Sequence, residues 1–214
     1  MATTLIFVRH GESEGNQGGR FNGSLDFPVT EKGRAQAQKT AEYLDKYKID
    51  KAYSSDLLRA KETAQIIATR QNLGLIEDKG LREINGGDFE GQLFNDLHIK
   101  FPKEFSIWMN DLGNCKCPNG ESIRELFERF NKKVIEIAKN NKDKTILIGT
   151  HAMPIRVMST LWNKKDITDV RDIDYVKNAS VTVVDYTDIN NPKIIEYDIA
   201  NYLGELMTEL PKNV

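Results

Sequence analysis

Apolar residues fall along this chain of 214 residues in two periods. Leu5-Ile6-Phe7-Val8 and Thr145-Ile-Leu-Ile-Gly-Thr150 are short apolar runs rich in β-branched residues, the pattern of strands buried on both faces. Lys51–Ser54 and Leu73–Glu77 read as two further short strands. Between them the spacing changes to threes and fours, the period of a helix with one buried face. Thr30 fits the cap of a helix running to about Tyr47 through Ala37, Ala41 and Leu44. Asp56 fits the cap of another over 57–70, with Ile66 and Ile67 in its stripe. Ser122 and Glu125 have the spacing of a capping box and open an amphipathic helix carrying Ile123, Leu126, Phe130, Val134 and Ile137. A helix is also expected after Thr150, through Trp162. Helical patches fall near 93–111, within a stretch (80–120) that holds much of the glycine and both cysteines. Val181–Tyr186 and Ile194–Tyr197, separated by Thr-Asp-Ile-Asn-Asn-Pro, predict a terminal hairpin. Strands alternating with helices imply an α/β fold: a three-layer α/β/α sandwich with a mostly parallel sheet and a C-terminal hairpin or antiparallel edge, in a single domain over 1–214.

Composition narrows the class of partner. Hydrophobic residues make up 39% and charged residues 29%, ordinary for a soluble protein. Thirty basic against 32 acidic residues leave a net charge of −2, which argues against nucleic acid as a partner, because phosphate-backbone binders carry a basic excess. An anionic ligand would have to be held by a local cluster of cations. No apolar run approaches the ~18 residues of a membrane span, and the N-terminus lacks a positive n-region, so no membrane contact and a cytoplasmic location are expected. Cys115 and Cys117, one residue apart, read as reduced loop thiols, and with only three histidines no metal site is expected. A homodimer is left open.

The unusual polar residues cluster at strand ends. The first strand runs into Arg9-His10-Gly11, the second ends just before Asp56 and Arg59, the third leads to Arg82-Glu83, and 145–150 runs into His151. In open α/β sheets the ligand crevice lies beyond the carboxyl ends of the strands, so two arginines, two histidines and a carboxylate converge on one rim. Each alone has a plainer reading as a solvated or core polar group, and His98, in Leu-His-Ile-Lys, is assigned to a helix surface. Arg59 near a helix start opposes the helix dipole unless an anion lies between them. Gly11 would let backbone approach a ligand closely. Together the set suits phosphoryl transfer: arginines match phosphate oxygens bidentately, a neutral imidazole attacks phosphorus, and a carboxylic acid protonates the leaving oxygen and later deprotonates water. No metal or other cofactor is required.

Arg9-His10-Gly11-Glu12-Ser13 with Asn16 resembles the signature of the histidine phosphatase superfamily, the phosphoglycerate mutase-like proteins. Ser55-Asp-Leu-Leu-Arg59-Ala60 with Thr63-Ala64, Leu81-Arg82-Glu83 with Gly87-Asp-Phe-Glu-Gly91, and Thr150-His151 through Ile155-Arg156 resemble further family segments in the same order, and Pro118–Ser122 is a family-like loop. The resemblance implies His10 as phosphorylated nucleophile, Arg9, Arg59 and His151 as the phosphate pocket, and Glu83 as general acid and base that also touches substrate. It further implies Asn16 and the Asn22-Gly23 turn as substrate or phosphate contacts. One departure is Ala152, where family members commonly have glycine.

The family holds hydrolases and mutases. Mutases acting on phosphoglycerate typically carry Arg-His-Tyr-Gly after the glutamate and then paired arginines for the substrate carboxylate. Here Glu83 is followed by Ile84-Asn85-Gly86-Gly87, and the 68-residue step to His151 offers scattered Lys100, Lys103, Lys116 and Arg124. Gly86-Gly87 suggests an open rim. The expectation is a metal-independent phosphomonoesterase that acts on a small phosphorylated metabolite through a phosphohistidine on His10. The alternatives are a phosphoglycerate mutase and a non-catalytic module that binds a phosphate ligand.

Overall fold

Along the first strand, Leu5 and Phe7 turn to one side and Ile6 and Val8 to the other, and each pair meets its own helical layer. The computed structural model describes residues 2–208. Its strands are β1 (Thr4–Arg9), β2 (Lys51–Ser54), β3 (Leu75–Glu77), β4 (Thr145–Thr150), β5 (Val181–Asp185) and β6 (Lys193–Ile199). Its helices are α1 (Glu14–Gln17), α2 (Glu31–Tyr43), α3 (Leu58–Arg70), α4 (Leu97–Lys100), α5 (Pro102–Asn110), α6 (Ile123–Asn140) and α7 (Ala152–Trp162), with short 3₁₀ turns between. The sheet order is β3-β2-β4-β1-β5-β6. The first four of these are mutually parallel; β5 runs antiparallel to β1, and β6 to β5. The architecture is the expected parallel α/β sheet with an antiparallel edge.

Phe7 and Leu5 pack with Phe130, Val134 and Ile137 of α6 and Ile155, Met158 and Trp162 of α7. Ile6 and Val8 pack with Ala41 and Ile67 from α2 and α3. The period-2 run of β1 thus encodes both layers. A third cluster, built on Phe21, Phe89, Leu97, Trp108 and Leu126, lies under the 93–111 segment, which folds into α4 and α5. That segment is a cap beyond the sheet, which explains why its short apolar patches match neither period for long.

Helix starts follow the sequence in two cases out of three. The Thr30 hydroxyl accepts the Gly33 N–H at 3.0 Å, and Ser122 and Glu125 form a reciprocal box at 3.1 and 2.7 Å. Asp56 does not cap α3. It forms a bidentate pair with Arg82 at 2.6 Å, and the Leu58 N–H is taken instead by Asp26 at 2.6 Å. The loop bringing Asp26 there comes from 32 residues earlier, beyond what local spacing reveals. Helix α2 is also shorter than expected, passing into a 3₁₀ turn over Leu44–Lys46.

The topology places two strand ends side by side. Arg9 on β1 is in register with Thr150 on β4, and the His10 N–H donates to the Thr150 carbonyl at 2.9 Å. His10 and His151 therefore leave the sheet as neighbours. After β1 the chain crosses to β2 and after β4 to β5 on the opposite side, so these ends flank a topological switch point.

Candidate active site

A cavity of about 360 Å³ opens over these strand ends. Arg9, His10, Arg59, Glu83, Asn16, Asn22 and Gly23 all line it. His151 does not. Its ring is fully buried beside that of His10, the two centroids 5.3 Å apart.

The His10 ring is fixed by its own backbone. Nδ1 lies 2.7 Å from the Gly11 carbonyl; a carbonyl only accepts, so Nδ1 carries the proton and Nε2 holds a free lone pair. Burial first, then the positive charges of Arg59 and Arg9, push the ring's pKa well below 6.5 and keep it neutral. The loop 176–180, which the sequence did not single out, holds the turn from the other side. Asn178 Nδ2 and the Ala179 N–H both donate to the His10 carbonyl at 3.1 Å. Ala179 pays for this in backbone strain, at φ 56°.

Arg9 and Arg59 each divide their donors. Arg9 Nη1 donates to the Val176 carbonyl at 2.6 Å. Arg59 donates to the Leu25 and Gly23 carbonyls at 2.6 and 2.7 Å, so Gly23, at φ 47°, orients the arginine as well as lining the cavity. The Nε of both arginines is buried without a protein partner. His151 has the same feature: Nε2 lies 2.9 Å from Ser55 Oγ, and Nδ1 is buried without a partner. Burial and Arg59 also hold this ring neutral, its pKa well below 6.5. Leaving a buried donor unmade costs about 1–3 kcal/mol, so each of these nitrogens is a candidate to bond a ligand oxygen, His151 Nδ1 in the tautomer that protonates it. Asn16 fits that picture: Ser13 and Asn178 all donate to its Oδ1, which leaves the amide N–H groups for another acceptor. Asn22 has its Oδ1 buried and unpartnered.

Glu83 sits between the acceptor-poor centre and helix α7. Oε1 accepts the Ile84 N–H at 2.9 Å and Oε2 the Met153 N–H at 3.4 Å. Burial outweighs these bonds and the two arginines and raises its pKa above the model-compound 4.5. Its loop is clamped by Arg129, which donates to the Gly80, Arg82 and Glu83 carbonyls at 3.0–3.2 Å and pairs with Glu121 at 2.7 Å. The start of α7 has no side-chain cap, and Ala152 and Met153 line the cavity. Ala152 is not among the residues of positive φ, so the helix start does not require glycine there.

Two sequence readings change. Gly11 approaches protein, not ligand: a Cβ there would lie 2.4 Å from the Gly33 carbonyl oxygen of α2. Gly86 does not open the rim either, since a Cβ would meet the Phe21 ring at 2.4 Å. The anion expected between Arg59 and the helix start is supplied at least in part by Asp26. Cys115 and Cys117 are buried free thiols and His98 is exposed on α4, as expected. Ser55, Arg129 and Asn178 were missed. Ser55 directly follows β2, but only the fold reveals its histidine partner.

Residues 5–197 match the model of the histidine phosphatase superfamily, branch 1. The chain belongs to this superfamily. It is 31% identical to phosphoserine phosphatase 1 of Hydrogenobacter thermophilus, over 98% of this chain and 99% of that one. It is 34% identical to phosphoglycerate mutase-like protein 4 of Arabidopsis thaliana, over 84% and 77%. Among solved structures it superposes on Bacillus stearothermophilus YhfR with a TM-score of 0.89 at 27% identity, covering 94% of this chain and all of that one. The protein is an enzyme of the phosphatase type, and no helix among its described residues is long and apolar enough to cross a membrane.

Proposed function

We propose that the protein hydrolyses small phosphomonoesters without a metal, through a phosphohistidine on His10. The observation that carries this reading is the set of three buried, unpartnered nitrogens (Arg9 Nε, Arg59 Nε and His151 Nδ1) around a neutral imidazole with a free Nε2. A phosphoryl group gives all three nitrogens an acceptor.

The steps follow from the positions. The Nε2 lone pair of His10 attacks phosphorus as the bond to the ester oxygen breaks; that oxygen keeps the electron pair and takes the Glu83 proton. The raised pKa of Glu83 makes it a usable acid. Arg9 and Arg59 balance charge on the equatorial oxygens. Ser55 Oγ accepts the Leu57 N–H and in this reading gives its own proton to His151 Nε2, 2.9 Å away; His151 then carries its ring proton on Nδ1, the tautomer that donates to phosphate. In the second half, water attacks phosphorus, gives its proton to the Glu83 carboxylate, and the P–N electron pair returns to Nε2.

Water is favoured over a second substrate hydroxyl as acceptor. A mutase needs fixed cations for its substrate's carboxylate; Lys100, Lys103, Lys116 and Arg124 do not line the cavity, and Arg20, which does, is exposed and bonded to the Gly91 carbonyl. The phosphoserine phosphatase among the relatives has the same preference in its name. The test supplies 3-phosphoglycerate with a trace of 2,3-bisphosphoglycerate and follows both 2-phosphoglycerate and free phosphate. Phosphate release without isomerisation supports hydrolysis; efficient isomerisation with little phosphate overturns it in favour of the mutase. Binding of phosphate esters with neither product would favour the non-catalytic module.

A further inference from the structure

Beyond the phosphate end, the cavity changes character. Its apolar lining is Phe21 and Trp108, with Ile84 and Met153 beside Glu83, each under 8% exposed, together with Phe94 and the ring of Tyr175. Phe21 and Trp108 meet edge to face with centroids 5.1 Å apart, so the wall is rigid. The Phe94 N–H donates to the Gly19 carbonyl at 2.9 Å, which ties the capping segment to the loop on the opposite lip. Past Phe94 and Asn95 the surface continues into an outer groove lined by Phe105 and Met109.

Polar groups along this path are mostly neutral: Asn22, Asn95 and the Tyr175 hydroxyl in the cavity and the exposed His98 in the outer groove. Among the described residues Glu83 is the one carboxylate in the lining, and its oxygens already accept two backbone N–H groups. Among the described residues Arg20 is the one cation there besides Arg9 and Arg59; it is exposed and donates to the Gly91 carbonyl. An ammonium group in the leaving alcohol would exchange water for neutral acceptors such as Asn22 Oδ1 without gaining an unengaged carboxylate, which is costly for a charge. An apolar body would be gripped on two sides.

We infer that the leaving alcohol of the preferred substrate carries an aromatic or branched apolar body, held between the Phe21–Trp108 wall and Phe94, and that an amino-acid leaving group such as serine is disfavoured. This rests on the phosphatase reading and adds the substrate class to it. It also separates this chain from the relative named as a phosphoserine phosphatase, despite their 31% identity.

The test compares kcat/KM for 2-phenylethyl phosphate, ethyl phosphate and L-phosphoserine. Serine's hydroxyl is the most acidic of the three alcohols, so leaving-group chemistry alone favours phosphoserine. Burial of a phenyl ring against this wall predicts a preference for the phenylethyl over the ethyl ester of about ten- to a hundredfold, with phosphoserine below the phenylethyl ester. Phe94→Ala, at a half-buried position, and Trp108→Ala should each move the phenylethyl-to-ethyl ratio toward one. Trp108 also belongs to the core, so its variant is read only if its circular dichroism and melting match the wild type; the wild-type panel decides without it. A ratio near one, or phosphoserine as the best substrate, overturns the inference and leaves hydrolysis standing. No phosphate release from any ester overturns the phosphatase reading itself.

Discussion

At the scale of single residues, the site works by leaving donors unmatched. Arg59 spends its terminal nitrogens on loop carbonyls and keeps Nε for a ligand. Arg59→Lys removes that Nε donor and the loop bonds that aim it, and loss of one positioned donor to developing charge costs roughly 2.7–4 kcal/mol, or 10²–10³ in kcat. Steady-state kinetics with competitive vanadate inhibition would show it; unchanged kcat and vanadate affinity would remove Arg59 from the pocket. Ser55→Ala should cost less, about 1 kcal/mol for one neutral hydrogen bond, or roughly fivefold in kcat. Because Ser55 acts through the His151 tautomer, the variant should also show an altered pH profile; a fall in stability alone would make it a packing residue. Glu83→Gln should slow an alkyl phosphate much more than p-nitrophenyl phosphate, whose leaving group needs no proton. In the wild type, activity toward the alkyl ester should fall as pH rises through the raised Glu83 pKa, and that limb should vanish in the variant. Equal losses on both substrates would assign Glu83 to binding.

At the scale of elements, the sheet and its two helical layers were readable because β1, β4, α2 and α6 keep one period long enough to declare it. The His10 and His151 ends could be placed on one rim because a parallel sheet puts all its carboxyl ends together. What the sequence hid was long-range: Asp26 replacing Asp56 at the start of α3, the 176–180 loop behind His10, and Arg129 of α6 holding the Glu83 loop. None of these has a local pattern, since each partner lies more than 30 residues away. The capping segment was illegible for another reason, being two short helices whose apolar faces serve a separate cluster. Arg129 gives a test of this layer. It touches no reacting atom, so Arg129→Met should lower kcat on an alkyl phosphate several-fold while sparing p-nitrophenyl phosphate, the signature of a misplaced acid. A uniform loss on both esters would make the clamp merely structural.

At the scale of the whole molecule, burying two neutral imidazoles ties stability to pH. His10 and His151 stay neutral in the folded chain, whereas in the unfolded chain they titrate near 6.5. As pH falls below 6.5 the unfolded state takes up protons that the folded state refuses, so stability rises with pH through this window and drops on acidification. Glu83, with its pKa raised above 4.5, acts in the opposite sense, but as one group against two. Urea midpoints should therefore fall between pH 7 and pH 5 at constant slope, and less so in a His151→Gln variant. A flat profile would mean that the rings are protonated in place.

The central claim is that His10 takes the phosphoryl group before water does. Mixing the enzyme with an excess of ³²P-labelled ester, quenching within milliseconds and mapping the label measures this directly. The account predicts label on His10 that is acid-labile and base-stable, that disappears on a chase with unlabelled ester, that forms in the presence of chelator, and that is absent from His10→Ala together with turnover. Full turnover with no labelled protein, or with label on another residue, would contradict it.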